Sequence, residues 1–338
     1  MPDPEAEITA FLESSGWNAA ERRVLAGDAS HRRYERVFKD GKTAVLMIAP
    51  PEKGESTGPF LSIADYLLRS GLSAPRVYAA DTHTGLVLLE DLGDDLFARL
   101  CERHAIPEVE LYTAAVDLLV ALQSGPYPDE LPIYGAAEMA KVTEVAPIWY
   151  GGLKSGDDRI ISFSAKIEPI LASIAPESPV VVLRDYHAEN LLWLPDRSGF
   201  ARVGLLDFQD AALGFPGYDL VSLLDDARRD VAPRLVEQMV ERYTAATGRT
   251  SEALTTELAY LGLQRNLRIL GVFARLCLRD GKPGYVDLIP RVWRYVQNAL
   301  RHPGLEGLRP LIDATLPEPT AKHLASLKAA CGTHPQPY

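Results

Sequence analysis

Short runs of alternating apolar and polar residues dominate the chain up to about residue 90, and apolar residues at three- and four-residue intervals dominate it afterwards. This predicts an α+β protein with a β-rich first part and a mainly helical second part. Residues 5–15 read as a short amphipathic helix, and the segment from Glu21 to Ile48 reads as strands around a loop. Phe60, Ile63, Ala64, Leu67 and Leu68 recur at helical spacing, with Gly71 just past their end. Two strands follow in APRVYAADTHTGLVLLEDL, the second ending at Glu90 and Asp91. Helical periodicity then covers residues 107–124, 160–175, 216–248, 251–279 and 287–301, and a proline-rich tail after Arg309 is expected to wrap a surface. Between the helices, Val180–Leu183 and Val203–Leu206 are apolar runs separated by a Pro-Asp-Arg-Ser-Gly turn. They predict a hairpin that carries an acid at the end of each strand, Asp185 and Asp207.

Those two aspartates, with Asn190, are the candidate chemistry. Phosphoryl transfer to a hydroxyl needs one carboxylate to orient the attacking group and oxygen ligands for the magnesium that bridges the phosphates. Asp185 suits the first task, and Asn190 and Asp207 suit the second. Gly27, Asp28, Ala29 and Ser30 form a small-residue turn that could admit phosphate to backbone amides; a plain hairpin turn would have the same residues. Other short matches fail when extended. Gly41-Lys42-Thr43 would end a Walker loop, but Arg36 stands where its first glycine is required, and His187-Ala188-Glu189 has no PCxxC partner.

The strings LRDYHAEN and LDFQD resemble the catalytic loop (His-Gly-Asp-Leu-His-x-x-Asn) and the metal loop (Ile-Asp-Phe/Trp) of the aminoglycoside phosphotransferase family. His187 falls on the second family histidine, while Leu183 and Arg184 replace the first His-Gly. GFPGYDLVSLL resembles the family segment in which an aspartate, here Asp219, starts a helix and braces the catalytic loop. A helix-start role for Asp219 is equally sound and compatible with the first. The resemblance implies a two-lobed, protein-kinase-like fold, with a nucleotide-binding lobe at residues 1–90 and a catalytic, substrate-binding lobe at 91–338. It also implies ATP and Mg2+, and adenine on the backbone of Glu90, Asp91 and Leu92.

The related kinases pair a strand lysine with a helix glutamate. Here Met47 occupies the lysine position and FLSIADYLLRSG has no glutamate, so Arg32 or Arg33 is expected to supply the cation, one of them facing the nucleotide. The blocks GDASHRRYERV, VLMIAPPEKGE, QRNLRILGVFARL and DGKPGY narrow the resemblance to the bacterial branch that phosphorylates the anomeric hydroxyl of N-acetylmuramate and N-acetylglucosamine in cell-wall recycling. Arg184, His187, Glu189, Gln209, Asp210, Asp219, Arg265, Asn266 and Arg268 are then candidates for the acceptor site. Arg265, Arg268, Arg275 and Arg279 fall in one sector of their helix. Salt bridging is the expectation for Arg275 and Arg279. For Gln264, Arg265, Asn266 and Arg268, a carboxylate of the acceptor is as good a partner as a protein acid. An aminoglycoside or choline-like acceptor, and a nucleotide-binding protein without turnover, are the alternatives.

Composition adds limits. A net charge of -11 argues against a nucleic-acid partner. No apolar run approaches the roughly 20 residues that cross a bilayer. Three separated cysteines without a CxxC pair point to a reducing compartment. A cytoplasmic monomer acting on a small molecule is the expectation.

Overall fold

The computed structural model describes residues 4–27 and 31–335. After α1 (Pro4–Ser14) come β1 (Glu21–Gly27), β2 (Arg33–Lys39) and β3 (Lys42–Ile48). The β2–β3 turn is Asp40-Gly41, both with positive φ (49° and 74°), the backbone that matches strand twist in a two-residue hairpin. Following α2 (Gly58–Arg69), β4 (Val77–Asp81) and β5 (Leu86–Glu90) complete an antiparallel sheet in the order β1-β2-β3-β5-β4. One sheet face buries Val37, Ala44, Leu46, Ile48, Leu86 and Leu88 against Ile8, Phe11 and Leu12 of α1. The alternation of β2 and β3 thus fixes which residues lie on the opposite face, Met47 among them. Next come α3 (Phe97–Glu102) and α4 (Glu108–Ser124).

The chain continues through α5 (Ala136–Val142), α6 (Asp158–Ala172) and β6 (Val180–Val182), then β7 (Leu191–Trp193), β8 (Val203–Leu205) and β9 (Ala212–Gly214). Here the pairing differs from the expected hairpin. The β7 strand pairs with β8 across the Pro-Asp-Arg-Ser-Gly turn, whereas β6 pairs with β9. Val180–Leu183 and Val203–Leu206 are therefore not partners. Two intervening residues of the motif, Leu191 and Leu192, belong to a strand of their own.

The expected helix over 216–248 is also two helices, α7 (Gly217–Leu224) and α8 (Pro233–Thr247). Asp226 Oδ1 accepts the amide of Arg228 at 2.8 Å, a local turn that competes with the helix, and Pro233 then starts α8. Thr250 caps α9 (Ser251–Leu278), and α10 (Ile289–Ala299) follows. Gly271 of α9 lies against the backbone of Val145 and Ala146; a Cβ there would stand 2.6 Å from Ala146 N. The tail after Arg309 is more regular than expected. It forms α11 (Arg309–Thr315) and α12 (Ala321–Ala329), with Leu327 and Ile312 buried in the helical core.

By packing the chain forms two units, residues 1–129 with 188–211 and residues 130–187 with 212–338. The unit that holds the sheet also takes in α3, α4 and the β7–β8 hairpin. No helix among the described residues is long and apolar enough to cross a membrane.

Candidate active site

In the helical unit, β6 delivers the loop that begins at Leu183. Asp219, in the first turn of α7 and fully buried, accepts the amide of Leu183 at Oδ2 (2.6 Å) and that of Arg184 at Oδ1 (2.8 Å). Burial pushes its carboxyl up to about 7, against the two amides, which favour the charged form. Arg184 has φ +70°, a left-handed conformation natural to the glycine it replaces. Its guanidinium lies 4.4 Å from the centroid of Tyr134, a cation–π contact that offsets part of the strain.

Asp185 comes next. Burial would raise its pKa, but Arg268, His187, Arg265 and Arg184 pull it below the ordinary carboxylate value. His187 is itself held down to about 4 by burial and by Arg228, so at neutral pH the arginines carry this effect. Arg228 Nη1 lies 3.2 Å from His187 Nε2; since guanidinium only donates, Nε2 accepts and the ring proton sits on Nδ1. The result is an ionised, partly buried carboxylate among fixed cations, suited to orienting a hydroxyl.

The α9 candidates behave differently from one another. Asn266 is buried and gives its amide to Asp225 Oδ2 (3.0 Å) and Gly262 O (2.9 Å), and Gln264 donates to Met139 O (2.7 Å). Arg265 is buried beside Asp225, whose carboxyl burial raises to about 6. Arg268 is only half-buried. Arg279 pairs with Asp280 (2.7 Å), as expected, but Arg275 makes no ion pair among the described residues. Burial and neighbouring Arg279 lower its pKa instead.

In the sheet-containing unit, Asn190 and Asp207 flank the β7–β8 hairpin, whose ends are tied by the Leu206 amide bonding to Asn190 O at 3.0 Å. Asp207 has φ +55°, a conformation that aspartate tolerates better than most residues. Asn190 Nδ2 lies 3.5 Å from Asp207 Oδ2, and Gln209 Nε2 donates to Asp207 Oδ1 at 2.7 Å. An adjacent carboxylate and carboxamide are a hard oxygen set of the kind magnesium takes, since that ion keeps most of its shell for phosphate and water. Phe208 is buried and stacks on Phe60 of α2, ring centroids 5.0 Å apart. Glu189 is half-buried and Asp210 exposed.

At the end of β5, Glu90 donates its amide to Arg76 O (2.8 Å) and its carboxylate pairs with Arg197 (2.6 Å). Asp91 pairs with Arg36 (2.8 Å) and accepts the Gly93 amide (3.1 Å). Both hinge carboxylates are thus engaged within the protein. Gly27 pairs with Arg33 at the sheet edge, while Asp28, Ala29 and Ser30 lie outside the described residues. Tyr34 stands opposite Met47, and Met47 has no exposed surface. Arg32 makes an ion pair with Glu55 at 2.9 Å, whereas Arg33 is exposed and its charge is felt by Glu5 of α1. Sequence reading missed Glu55, Asp225 and Arg228. Glu55 lies in a connection with no periodic signal, whereas Asp225 and Arg228, close behind Asp219, were covered by the helix expected over 216–248.

The phosphotransferase enzyme family matches residues 21–254. The N-acetylmuramate/N-acetylglucosamine kinase of Caulobacter vibrioides is 38% identical, over 94% of this chain and 98% of that protein. The protein of the same name from Pseudomonas aeruginosa is 33% identical over 90% and 92%. Among solved structures, choline kinase LicA from Streptococcus pneumoniae has a TM-score of 0.62 at 14% identity, covering 90% of this chain and 99% of that one. ADP-bound aminoglycoside phosphotransferase APH(2'')-Ib has a TM-score of 0.60 at 17% identity, covering 88% and 98%. The fold is accordingly protein-kinase-like, with an antiparallel sheet and a mostly helical remainder. On the family match and on relatives that span nearly the whole chain, the protein belongs to the phosphotransferase enzyme family.

Proposed function

We propose that the protein transfers the terminal phosphoryl group of ATP to the anomeric hydroxyl of N-acetylmuramate and N-acetylglucosamine. The observation that carries the chemistry is the placement of Asp185, a partly buried carboxylate on the loop that Asp219 holds through the Leu183 and Arg184 amides, kept ionised by arginines. Such a group accepts a hydrogen bond from the attacking hydroxyl and fixes its direction, which is most of what phosphoryl transfer asks of a protein. The acceptor is supported by relatives of 31–38% identity that bear that substrate in their names.

Residues 1–90 serve nucleotide binding and 91–338 catalysis and acceptor binding. Asn190 and Asp207 would hold Mg2+, which supplies charge neutralisation at the phosphates when bound. Adenine would meet the backbone of Glu90, Asp91 and Leu92, with Glu90 offering its carbonyl, since its amide is spent on Arg76. Gly27, Asp28, Ala29 and Ser30 would cover the phosphates. Arg184, His187, Glu189, Gln209, Asp210, Asp219, Arg265, Asn266 and Arg268 remain the acceptor set, with Arg184 and Arg268 the members whose charge is both felt by Asp185 and half-exposed. The enzyme works as a cytoplasmic monomer.

The test is ADP release with a panel of amino sugars, their methyl glycosides, aminoglycosides and choline. Turnover of the free amino sugars and none of the methyl glycosides is expected. Phosphorylation of a glycoside would move the reaction to another hydroxyl, and turnover of aminoglycosides alone would replace the acceptor.

A further inference from the structure

The fixed positive charge that a strand lysine brings to nucleotide phosphates is absent at Met47, and the sheet register shows which residue shares that position's face. Tyr34 is directly opposite Met47 in the β2–β3 ladder, and Arg33 is opposite Ile48. Ile48 belongs to the face packed on α1, so Arg33 goes with that face, in keeping with its influence on Glu5. Arg32 is two residues from Tyr34 and hydrogen-bonds to its side chain, so it shares the Met47 face.

Arg32 is also held in place. Its Nε donates to Glu55 Oε2 at 2.9 Å, with only 11% and 13% of the two side chains exposed. The other carboxylate oxygen of Glu55 accepts the His31 amide at 3.0 Å, so one acid fixes both the guanidinium and the backbone preceding it. Glu55 lies just before α2, and Phe60 in the first turn of α2 stacks on Phe208, the neighbour of Asp207. Five residues span at most about 18 Å, which ties this ion pair to the same short stretch of structure that rests on the metal-loop aspartate's neighbour.

We propose that Glu55 is the positioning residue that aligns Arg32, and that Arg32 so held contacts the phosphates of ATP in place of the strand lysine. The inference rests on the reading of the protein as an ATP-dependent kinase and is independent of which acceptor it uses. An arginine fits the task. Its planar fork carries five donors, more than the bonds to Glu55 and Tyr34 use, and two donors of one fork can meet a phosphate in a bidentate geometry that lysine cannot adopt. A pair largely removed from water contributes little net stability by itself, so its placement is better explained by what it holds.

The test measures binding of Mg-ATP and of adenosine by titration calorimetry with no acceptor present, and KM for ATP and for N-acetylglucosamine. The proteins are the wild type, Arg32→Ala, Glu55→Gln, the double variant and Arg33→Ala. Arg32→Ala should weaken Mg-ATP about ten-fold or more and Glu55→Gln about three- to ten-fold, while adenosine affinity and the sugar KM stay within about two-fold. The double variant should be no worse than Arg32→Ala, because Glu55 acts through Arg32. The proposal is overturned if Arg32→Ala binds Mg-ATP like the wild type, if adenosine binding falls equally, if the two effects multiply, or if Arg33→Ala shows the loss instead. Absence of amino-sugar turnover in the wild type, with the binding pattern intact, would remove the acceptor assignment and leave this one standing.

Discussion

Asp219 accepts the amide of Arg184 at 2.8 Å, and Arg184 is the residue before Asp185 that holds a left-handed backbone, φ +70°. The carboxylate therefore secures the loop at its most strained point. Replacing it with asparagine turns one acceptor into a donor facing an amide. A lost charge-assisted bond of about 1.5–3 kcal/mol should lower turnover roughly ten- to a hundred-fold with little change in the ATP KM. Steady-state kinetics of Asp219→Asn check this; a parent-like kcat would take the bracing role away.

Glycine at Arg184 should separate strain from function. The left-handed backbone costs glycine nothing, so Arg184→Gly should be no less stable than the wild type once the lost contact with Tyr134 is set against the relief, within about 1 kcal/mol. It also removes one of the cations that keep Asp185 ionised, so catalysis should fall at low pH sooner than in the wild type. Denaturant unfolding and a pH–rate profile, read together, decide it; an unchanged acid limb contradicts the electrostatic role.

The two aspartates should fail in different ways. Asp185→Asn should lose turnover by about a thousand-fold while Mg-ATP binds normally, because only the orientation of the hydroxyl is lost. Asp207→Asn keeps a side chain tolerant of φ +55° and removes the charge, so it should fold and yet bind ATP no more tightly with magnesium than without. Magnesium-dependent binding that survives in Asp207→Asn would refute the metal assignment.

His187 sets a pH dependence of stability whose sign follows from its burial. Its folded-state pKa, about 4, lies below the ordinary 6.5, so between these values the unfolded chain binds the extra proton. The stability gained from a neutral His187 is complete above about pH 6.5 and is lost as pH falls toward 4, by roughly 3 kcal/mol. Asp219 and Asp225, raised to about 7 and 6, act in the opposite sense over much of that window. The informative quantity is thus the difference between the wild type and His187→Gln in urea unfolding at pH 7.5, 6 and 4.5. It should shrink steadily with acid; a constant difference would show that His187 does not titrate as described.

What was legible in the sequence was local. Asp185, Asn190 and Asp207 fall within one short stretch, and their spacing together with the apolar runs identified the candidate chemistry before any contact was known. The partner of β6 was not legible, because three valines at 180–182 fit β8 or β9 equally well and the choice depends on distant packing. The break between α7 and α8 was hidden in Asp225–Ala232, a string compatible with a helix except for the side-chain turn at Asp226 and Pro233 at its end. Arg32 was among the candidates, but its acid, Glu55, lies 23 residues away in the connection before α2, where no periodic signal singles it out.

The burial of Met47 also limits how the site could be rebuilt. A lysine introduced there would carry its ammonium to a position with no exposed surface, leaving an unpaired buried charge whose cost is several kcal/mol, a large part of what holds a domain together. A strand lysine therefore cannot be restored here by exchanging Met47 alone: its surroundings would have to change with it, to supply either a partner for the ammonium or a path to water.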